Sequence, residues 1–297
     1  MKPRAFAYHA PASVPEALAL LAEHSHDAKV LAGGQSLVPL LNFRMSAPEH
    51  LIDVNRLPGL DTVVREAGGW RIPALVRQRT VERSLELAAA FPLLPAALAQ
   101  VAHPQIRNRG TVCGSVAHGD PAAELPTVLT ALGATMHVAS TRGVRAVPAD
   151  DFFLFHFTTA LEPDELLVGV TLADLPPGTA TGFAEFATRN GDFALAAVAG
   201  VVHRDDDGVV RSARLVAAGV AGTPVRLAAA EAALVGSALT PAALVAAQHA
   251  ARGEVDPSGD IHAPGAYRKQ LVGVLTRRVL TGLTRQGGVA RAGEHGR

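Results

Sequence analysis

Cysteine is almost absent from this sequence, since Cys113 is the only one in 297 residues. A single thiol excludes a disulfide within the chain and an iron–sulfur cluster held by cysteines of this chain alone. No apolar run approaches the roughly 20 residues that a membrane-spanning helix needs. The N-terminus has basic residues but no apolar h-region, so it predicts no secretory signal. We therefore expect a cytoplasmic protein without a transmembrane segment.

Net charge is missing as well, because 27 basic residues balance 27 acidic ones. This balance provides no overall basic character, so we expect no nucleic-acid partner. Lysine is scarce, and none of Lys2, Lys29 and Lys269 follows a glycine, which excludes a P-loop. Hydrophobic residues make up 48% of the chain, which is ample for buried cores, and the length suggests about two domains.

The twelve histidines show no metal-ligand spacing. H-E-x-x-H is absent, and the histidines lie in unrelated segments, so we predict no metal site. G-x-S-x-G is also absent, which leaves the common hydrolase elbow without a candidate. A Ser–His–Asp triad built from distant residues stays open at this point.

Two adjacent glycines follow a short apolar run that ends at Ala32. Gly33-Gly34 and the polar pair after them predict a strand, a tight turn and a helix start. Glycine permits φ > 0 and removes side chains from one surface, while a helix start leaves N–H groups free for an anion. An ordinary strand–helix turn fits equally well. A Rossmann motif does not fit, because residues 35–38 lack its third glycine, and Asp53 is better explained as a loop cap.

Hydrophobic periodicity divides the chain into helices and strands. A helix capped by Ser13, the glycine turn and a buried strand at 51–54 form a β-α-β unit over 12–56. Pro176-Pro177-Gly178 is the strongest boundary signal. Hairpins are predicted at 60–74 and 134–147, further strands at 165–172, 182–188, 193–203 and 209–221, and further helices at 80–90, 92–102, 122–132, 226–234, 241–252 and 266–283.

Residues 104–126 are rich in glycine, proline and polar residues and show no period. A long irregular stretch in a compact domain is usually functional or disordered. Within it, Thr111–Ser115 predicts a second turn of small residues that offers hydroxyls and amides. Cys113 is either a nucleophile or a small packed residue at this turn, and packing is the favoured interpretation.

Together the two glycine turns resemble one family. A-G-G-Q-S-L-V-P at 32–39 and R-N-R-G-T-V-C-G-S-V-A-H-G-D-P-A-A-E-L-P at 107–126 are similar to the FAD-binding subunit of the molybdenum hydroxylases, the xanthine dehydrogenase and aerobic carbon monoxide dehydrogenase family. The resemblance covers nearly the whole chain. It continues through L-I-D-V-N at 51–55, R-I-P-A-L at 71–75, R-N-G-D-F-A at 189–194 and Y-R-K-Q-L-V at 267–272.

The resemblance implies an α+β protein with a two-subdomain FAD-binding fold of the vanillyl-alcohol-oxidase-like type and a smaller C-terminal α+β domain. We place the FAD-binding domain at 1–176, with subdomains at about 1–57 and 58–176, and the C-terminal domain at 177–285. Residues 286–297 should be a disordered tail.

The resemblance also implies a binding site for FAD. The first turn would hold the pyrophosphate with backbone N–H groups and the Ser36 hydroxyl, and the second would add a hydroxyl and amides. Glu124 stands where the family usually has an aspartate and would accept a hydrogen bond from FAD, and Leu167 would line the flavin. The expected cofactor-binding residues are Ala32, Gly33, Gly34, Gln35, Ser36, Leu37, Thr111, Cys113, Gly114, Ser115, Glu124, Leu167 and Arg189.

Two positions depart from the family pattern. Cys113 replaces the first glycine of T-x-G-G, which strains the backbone if φ is positive there and is tolerated if only a small side chain is needed. A lysine that the family often has near the flavin is missing, since Ala184, Glu185 and Ala187 occupy that region. Arg189 is the nearest cation, with pairing to Asp192 at the surface as the alternative.

The function implied by the resemblance is electron transfer without a catalytic residue of this chain. A large subunit would carry the molybdenum cofactor and a small subunit [2Fe–2S] clusters, from which electrons reach FAD here and then an external acceptor. A dimer of heterotrimers is the expected assembly. A self-sufficient flavin oxidase and a flavin-free nucleotide-binding or scaffold subunit remain as alternatives.

Overall fold

The computed structural model describes residues 2–286. The chain packs as two compact units, and each is built from separate stretches of sequence. The first unit comprises residues up to Ser84, Ala102–Asp120 and Gly133–Asp174. The second unit comprises Leu85–Val101, Pro121–Leu132 and the chain from Leu175 onward.

Strands and helices are numbered in chain order. The strands are β1 (Ala7–His9), β2 (Ala28–Leu31), β3 (His50–Asp53), β4 (Val64–Glu66), β5 (Gly69–Pro73), β6 (Thr135–Ser140), β7 (Gly143–Pro148), β8 (Phe153–Phe155), β9 (Thr158–Thr159), β10 (Leu166–Ala173), β11 (Thr179–Ala187), β12 (Ala194–Arg204), β13 (Val210–Ala218) and β14 (Val225–Arg226). The helices are α1 (Val14–His24), α2 (Leu37–Asn42), α3 (Gln78–Arg83), α4 (Leu85–Ala90), α5 (Leu93–Leu98), α6 (Pro104–Arg109), α7 (Val112–His118), α8 (Glu124–Ala131), α9 (Ala149–Phe152), α10 (Ala228–Ala232), α11 (Pro241–Gly253) and α12 (Gly265–Gln286).

The first unit begins with a parallel three-stranded sheet in the order β1-β3-β2. Helix α1 connects β1 to β2, and the glycine turn and α2 connect β2 to β3, which confirms the predicted β-α-β unit. Helix α1 begins where predicted because the Ser13 hydroxyl accepts a hydrogen bond from the Glu16 amide. It ends at His24 because Ser25 adopts a φ of 39°.

The first unit also contains a five-stranded antiparallel sheet in the order β4-β5-β10-β6-β7 and a short two-stranded sheet, β8-β9. Both predicted hairpins are present, although β4 begins at Val64 rather than at Leu60. Strand β10 is the central strand and is almost wholly buried, which agrees with its continuous apolar sequence.

Short helices replace two features that the sequence pattern suggested. Residues 104–126 are not irregular, since α6 and α7 lie there and α8 begins at Glu124. Residues 78–98 form three helices, α3 to α5, instead of the two predicted. Each of these five helices from α3 to α7 has only six or seven residues, so an apolar period of 3.6 repeats less than twice and leaves little signal.

The second unit contains the antiparallel sheet β11-β12-β13-β14, on which the long helix α12 packs. A Cβ built at Gly200 would lie 2.8 Å from Val279 Cγ1, so glycine in β12 lets α12 approach closely. Helices α5 and α8 pack with this unit as well, and their leucines are almost fully buried. The strands and long helices of this unit match the predicted ones closely.

The domain limits at 57 and 176 stay predictions. The chain passes into the second unit at Leu175, close to the predicted boundary, but Leu85–Val101 and Pro121–Leu132 also belong to that unit. The predicted disordered tail lies outside the described residues except for Gln286, the last residue of α12. Within residues 2–286, no helix has both the length and the apolar character that crossing a membrane requires.

Candidate functional site

We call Ala32–Leu37 the first loop. It lies between β2 and α2, where Gly34 has a φ of 74° that only glycine adopts at low cost. The Gln35 side-chain amide donates to the Gly33 carbonyl over 2.9 Å and closes the turn. The backbone N–H groups of residues 33–37 donate to no acceptor within the described part of the chain. The first loop therefore offers a run of unused donors.

We call Thr111–Ser115 the second loop. It is the N-terminus of helix α7 rather than a free turn, because the Thr111 hydroxyl accepts a hydrogen bond from the Gly114 amide over 2.9 Å. Two backbone hydrogen bonds hold it in place, from the Val112 amide to the Val76 carbonyl and from the Gln78 amide to the Gly110 carbonyl. The second loop is thus fixed to the connection between β5 and α3.

The two loops lie side by side in the first unit. A Cβ built at Gly33 would lie 2.6 Å from the Arg109 carbonyl oxygen and 2.7 Å from the Gly110 Cα. A Cβ at Gly114 would lie 4.0 Å from the Ala32 Cβ. Glycine at position 33 is therefore needed for a close backbone approach, whereas glycine at position 34 is needed for its positive φ.

A polar network that the sequence did not reveal joins the loops. The Asn55 side-chain amide donates to the Ala32 carbonyl over 2.8 Å, and its oxygen accepts from Arg77 over 2.8 Å. Arg77 also donates to the Arg109 carbonyl over 2.6 Å. Burial, and then the charge of Arg109, lower the pKa of Arg77. Asn55 ends the L-I-D-V-N segment, but nothing in its spacing identifies Arg77 as its partner.

Asp53 closes the end of β3 as a loop cap. Its carboxylate accepts hydrogen bonds from the Asn55 amide over 2.9 Å and from the Tyr8 hydroxyl over 2.6 Å. Burial raises the pKa of Asp53, but the hydrogen bonds from Tyr8 and Asn55 outweigh it, so the net pKa is lowered. This carboxylate belongs to the scaffold that supports the first loop.

Cys113 is a packed residue of the core and not an activated nucleophile. It is 2% exposed within α7, its Sγ lies 3.6 Å from the Ile72 carbonyl oxygen, and its φ is not positive. Burial raises the pKa of the thiol to about 12. A thiol of this kind is not a nucleophile at neutral pH, and a helical backbone accepts cysteine without strain.

The remaining expected residues are spread over both units. Leu167 is 3% exposed in β10 of the first unit, where it pairs with Val138. Glu124 is the first residue of α8 in the second unit. Arg189 is also in the second unit, with its side chain 85% exposed and its Nε 4.0 Å from the Asp192 carboxylate. The structure therefore brings the two loops together in the first unit, whereas Glu124 and Arg189 belong to the second.

A cleft of about 490 Å³ opens beside the first loop. Its lining includes Arg109, whose guanidinium carries a fixed positive charge. A diphosphate requires donors and positive charge, which the free amides and Arg109 supply, and the paired glycines leave room for it to approach the backbone. The residues present therefore fit the FAD pyrophosphate. The lining residues are Leu31, Ala32, Gly33, Gly34, Gln35, Val38, Pro39, Asp53, Asn55, Ile106 and Arg109.

Two protein-family models match this chain, one in its N-terminal part and one in its C-terminal part. Residues 4–174 match the FAD binding domain in molybdopterin dehydrogenase, and residues 181–283 match the CO dehydrogenase flavoprotein C-terminal domain. The first match alone covers more than half of the chain, and it contains both loops.

Individual relatives agree along nearly the full length. The chain is 43% identical over 280 residues to the 6-hydroxypseudooxynicotine dehydrogenase complex subunit alpha of Paenarthrobacter nicotinovorans, covering 94% of this chain and 95% of the relative. It is 38% identical over 280 residues to the carbon monoxide dehydrogenase medium chain of Hydrogenophaga pseudoflava, covering 94% and 97%. A solved structure of the carbon monoxide dehydrogenase from that organism superposes with a TM-score of 0.93 and 39% identity, covering 96% and 99% of the two chains.

The expected fold class is therefore confirmed, and the chain has an FAD-binding domain of an oxidoreductase subunit. The glycine loops, the two matched regions and the structural similarity all agree. This chain belongs to the FAD-binding medium subunits of the molybdenum hydroxylase family.

Proposed function

We propose that this chain carries FAD as the electron-transfer subunit of a molybdenum-containing hydroxylase complex. Electrons would arrive from [2Fe–2S] clusters of a small partner subunit, after substrate oxidation on a large molybdenum subunit, and leave to an external acceptor. Relatives of this chain are named as a subunit of a dehydrogenase complex and as a medium chain, which supports a role as one subunit of an assembly. A dimer of heterotrimers and a cytoplasmic location are part of the same proposal.

The observation that carries the proposal is the close contact of the first and second loops. The Gly33 backbone lies against the Arg109–Gly110 backbone, so the free amides of the first loop lie beside the residues that lead into α7. The free amides of residues 33–37, with Arg109 lining the same cleft, suit the pyrophosphate of a dinucleotide.

Each group of this chain then has a defined task. The amides of the first loop bind the pyrophosphate, and Arg109 balances its charge. Asn55 and Arg77 keep the two loops in register through their hydrogen bonds. When bound, FAD supplies the redox chemistry, accepting electrons and passing them on. The single buried cysteine agrees with iron–sulfur clusters that are held by a partner.

The cofactor test identifies what the protein carries. The chain is purified from a flavin-replete host with any subunits that co-purify, and the cofactor is released by denaturation and identified by mass. We expect FAD, and substrate should bleach the flavin absorption only when the partner subunits are present. A colourless protein contradicts the proposal, as does FMN in place of FAD. Substrate oxidation by the chain alone would favour the self-sufficient oxidase.

The first loop is tested with Gly34→Val. A valine there must adopt a φ of 74°, and its Cβ would lie 3.2 Å from both Leu31 Cδ1 and Val38 Cγ2. We expect a folded protein without FAD, measured as the ratio of flavin to protein.

Gly59→Val is the matched control, because Gly59 has a φ of 75° and no atom within 4 Å of a built Cβ. Both substitutions carry a similar backbone cost of about 1–2 kcal/mol. The control should keep its FAD. Retention of FAD by Gly34→Val, or equal loss from both variants, would refute the assignment of the first loop.

A further inference from the structure

Three histidines that are distant in sequence meet beside strands β1 and β3 of the N-terminal sheet. His9 is the last residue of β1, His24 the last residue of α1 and His50 the first residue of β3. One ring nitrogen of each lies within 4.8 Å of those of the other two, and all three residues are half-buried. We call them the histidine cluster. None of them belongs to the first or second loop.

The rings of the histidine cluster interact directly. His9 Nε2 and His50 Nδ1 are 3.0 Å apart, and the His24 and His50 rings stack with centroids 3.6 Å apart at 8°. A 3.0 Å contact requires an N–H on one ring and a lone pair on the other, so at least one of the two rings is neutral. Neutral imidazole is the form that binds metal ions.

Regular secondary structure holds the three backbone positions. Strands β1 and β3 pair in parallel, with Ala7 opposite His50. The turn at Ser25, whose amide donates to the Leu21 carbonyl, ends α1 at His24. Ligands placed on strands and helices are more precisely positioned than ligands on loops. Rotation about the side-chain torsions moves the ring nitrogens without moving the backbone.

We propose that the histidine cluster binds one Zn²⁺ ion through three imidazoles, with water in the fourth position. Imidazole is a preferred ligand of zinc and similar divalent transition metals. Bonds of about 2.0–2.1 Å to a tetrahedral zinc place ligand nitrogens about 3.3 Å apart. The His9–His50 pair is already close to this spacing at 3.0 Å. To ligate the ion, the donor ring of this pair has to carry its proton on its other nitrogen, and His24 has to turn out of its stack. The ion would fasten α1 to β1 and β3, and this site departs from the sequence prediction of no metal.

The test uses the full chain, with any subunits that co-purify, treated with chelator and titrated with ZnCl₂. We expect one Zn²⁺ per chain and a higher unfolding temperature when it is bound. His24→Ala and His9→Ala should each bind roughly 100-fold more weakly or worse, since loss of even an outer-shell partner costs 10–100-fold. His26→Ala is the matched control, because His26 lies two residues beyond His24 but outside the cluster, and it should bind as the unsubstituted protein does.

Two further measurements keep the proposal falsifiable if a variant fails to fold. Bound Co²⁺ should give the visible absorption of a tetrahedral nitrogen site in the unsubstituted chain. Zinc binding should weaken in acid, because a protonated imidazole cannot ligate a metal. Absence of stoichiometric zinc, equal binding by His24→Ala and the unsubstituted chain, or equal loss in His26→Ala would each overturn the site.

Discussion

The only thiol of the chain shows how strongly packing controls the chemistry of one residue. Cys113 is 2% exposed, and burial raises the pKa of its thiol to about 12. We expect no reaction of the native protein with a disulfide reagent such as DTNB at pH 8, because the thiolate is hardly populated. The denatured chain should release one equivalent. Rapid labelling of the native protein would contradict this burial.

At the level of single residues, the sequence predicted correctly those features that depend on backbone geometry alone. Paired glycines predict a positive φ and a surface without side chains, and Gly34 provides the first and Gly33 the second. It could not decide whether Cys113 is strained, because that depends on whether its backbone is helical. It also missed the hydrogen bonds of Arg77 to Asn55 and Arg109, since a partner fixed by tertiary contacts leaves no local pattern.

Helix α7 depends on its N-cap. The Thr111 hydroxyl satisfies the Gly114 amide in a buried position, so Thr111→Val should cost about 0.5–2 kcal/mol of stability. Because α7 carries the second loop, the same substitution should weaken FAD binding. The unfolding midpoint and the dissociation constant of FAD are the two measurements.

Thr240→Val provides the control for this helix cap. Thr240 caps α11 in the second unit by accepting a hydrogen bond from the Ala243 amide over 3.3 Å. It should lower the unfolding midpoint without changing the affinity for FAD. If Thr111→Val leaves the affinity for FAD unchanged, the helix cap does not support the cofactor site, which contradicts the assignment of the second loop to FAD binding.

Helices and strands long enough to contain at least two periods of the apolar pattern could be predicted from the sequence, whereas the shorter helices could not. The strands β11 to β13 and the helices α11 and α12 follow the predicted limits within a few residues. Between Gln78 and His118 the helices are too short to show a period, so their packing rather than their sequence defines them.

Protonation of one buried carboxyl should affect the stability of the whole molecule. Burial, and then the charge of Glu124, raise the pKa of Glu185 from 4.5 to about 8. One of its oxygens is buried and has no hydrogen-bond partner among residues 2–286. The folded state therefore favours the protonated form. Its contribution to stability is complete below pH 4.5 and is lost as pH rises toward 8.

Glu185→Gln should remove the loss of stability that Glu185 causes as pH rises. We expect the unfolding midpoint to fall less between pH 5 and pH 8 in this variant than in the unsubstituted chain, because glutamine cannot ionise. Glu86→Gln, at an exposed position of the same unit, should leave the pH dependence unchanged. Identical pH profiles for Glu185→Gln and the unsubstituted chain would show that Glu185 is ionised in the fold.

The sequence could not predict which segments of the chain pack together in the second unit. Pro176-Pro177-Gly178 lies next to Leu175, where the chain passes into the second unit. Nothing in residues 85–101 or 121–132 indicates that they pack with β11 to β13. Apolar periodicity identifies which side of a helix is buried, not which distant strand buries it.

This interleaving determines how the polypeptide can be dissected and when it can mature. Leu94 and Leu98 of α5 and Leu129 of α8 are completely buried within a unit whose sheet is translated only after Leu175. During synthesis these leucines lack their packing partners until strands β11 to β13 have been translated. A recombinant fragment ending at Asp174 would never acquire them and would display these leucines to solvent, which favours aggregation. The border between the two matched regions, at residues 174–181, is therefore unsuitable for truncating the chain.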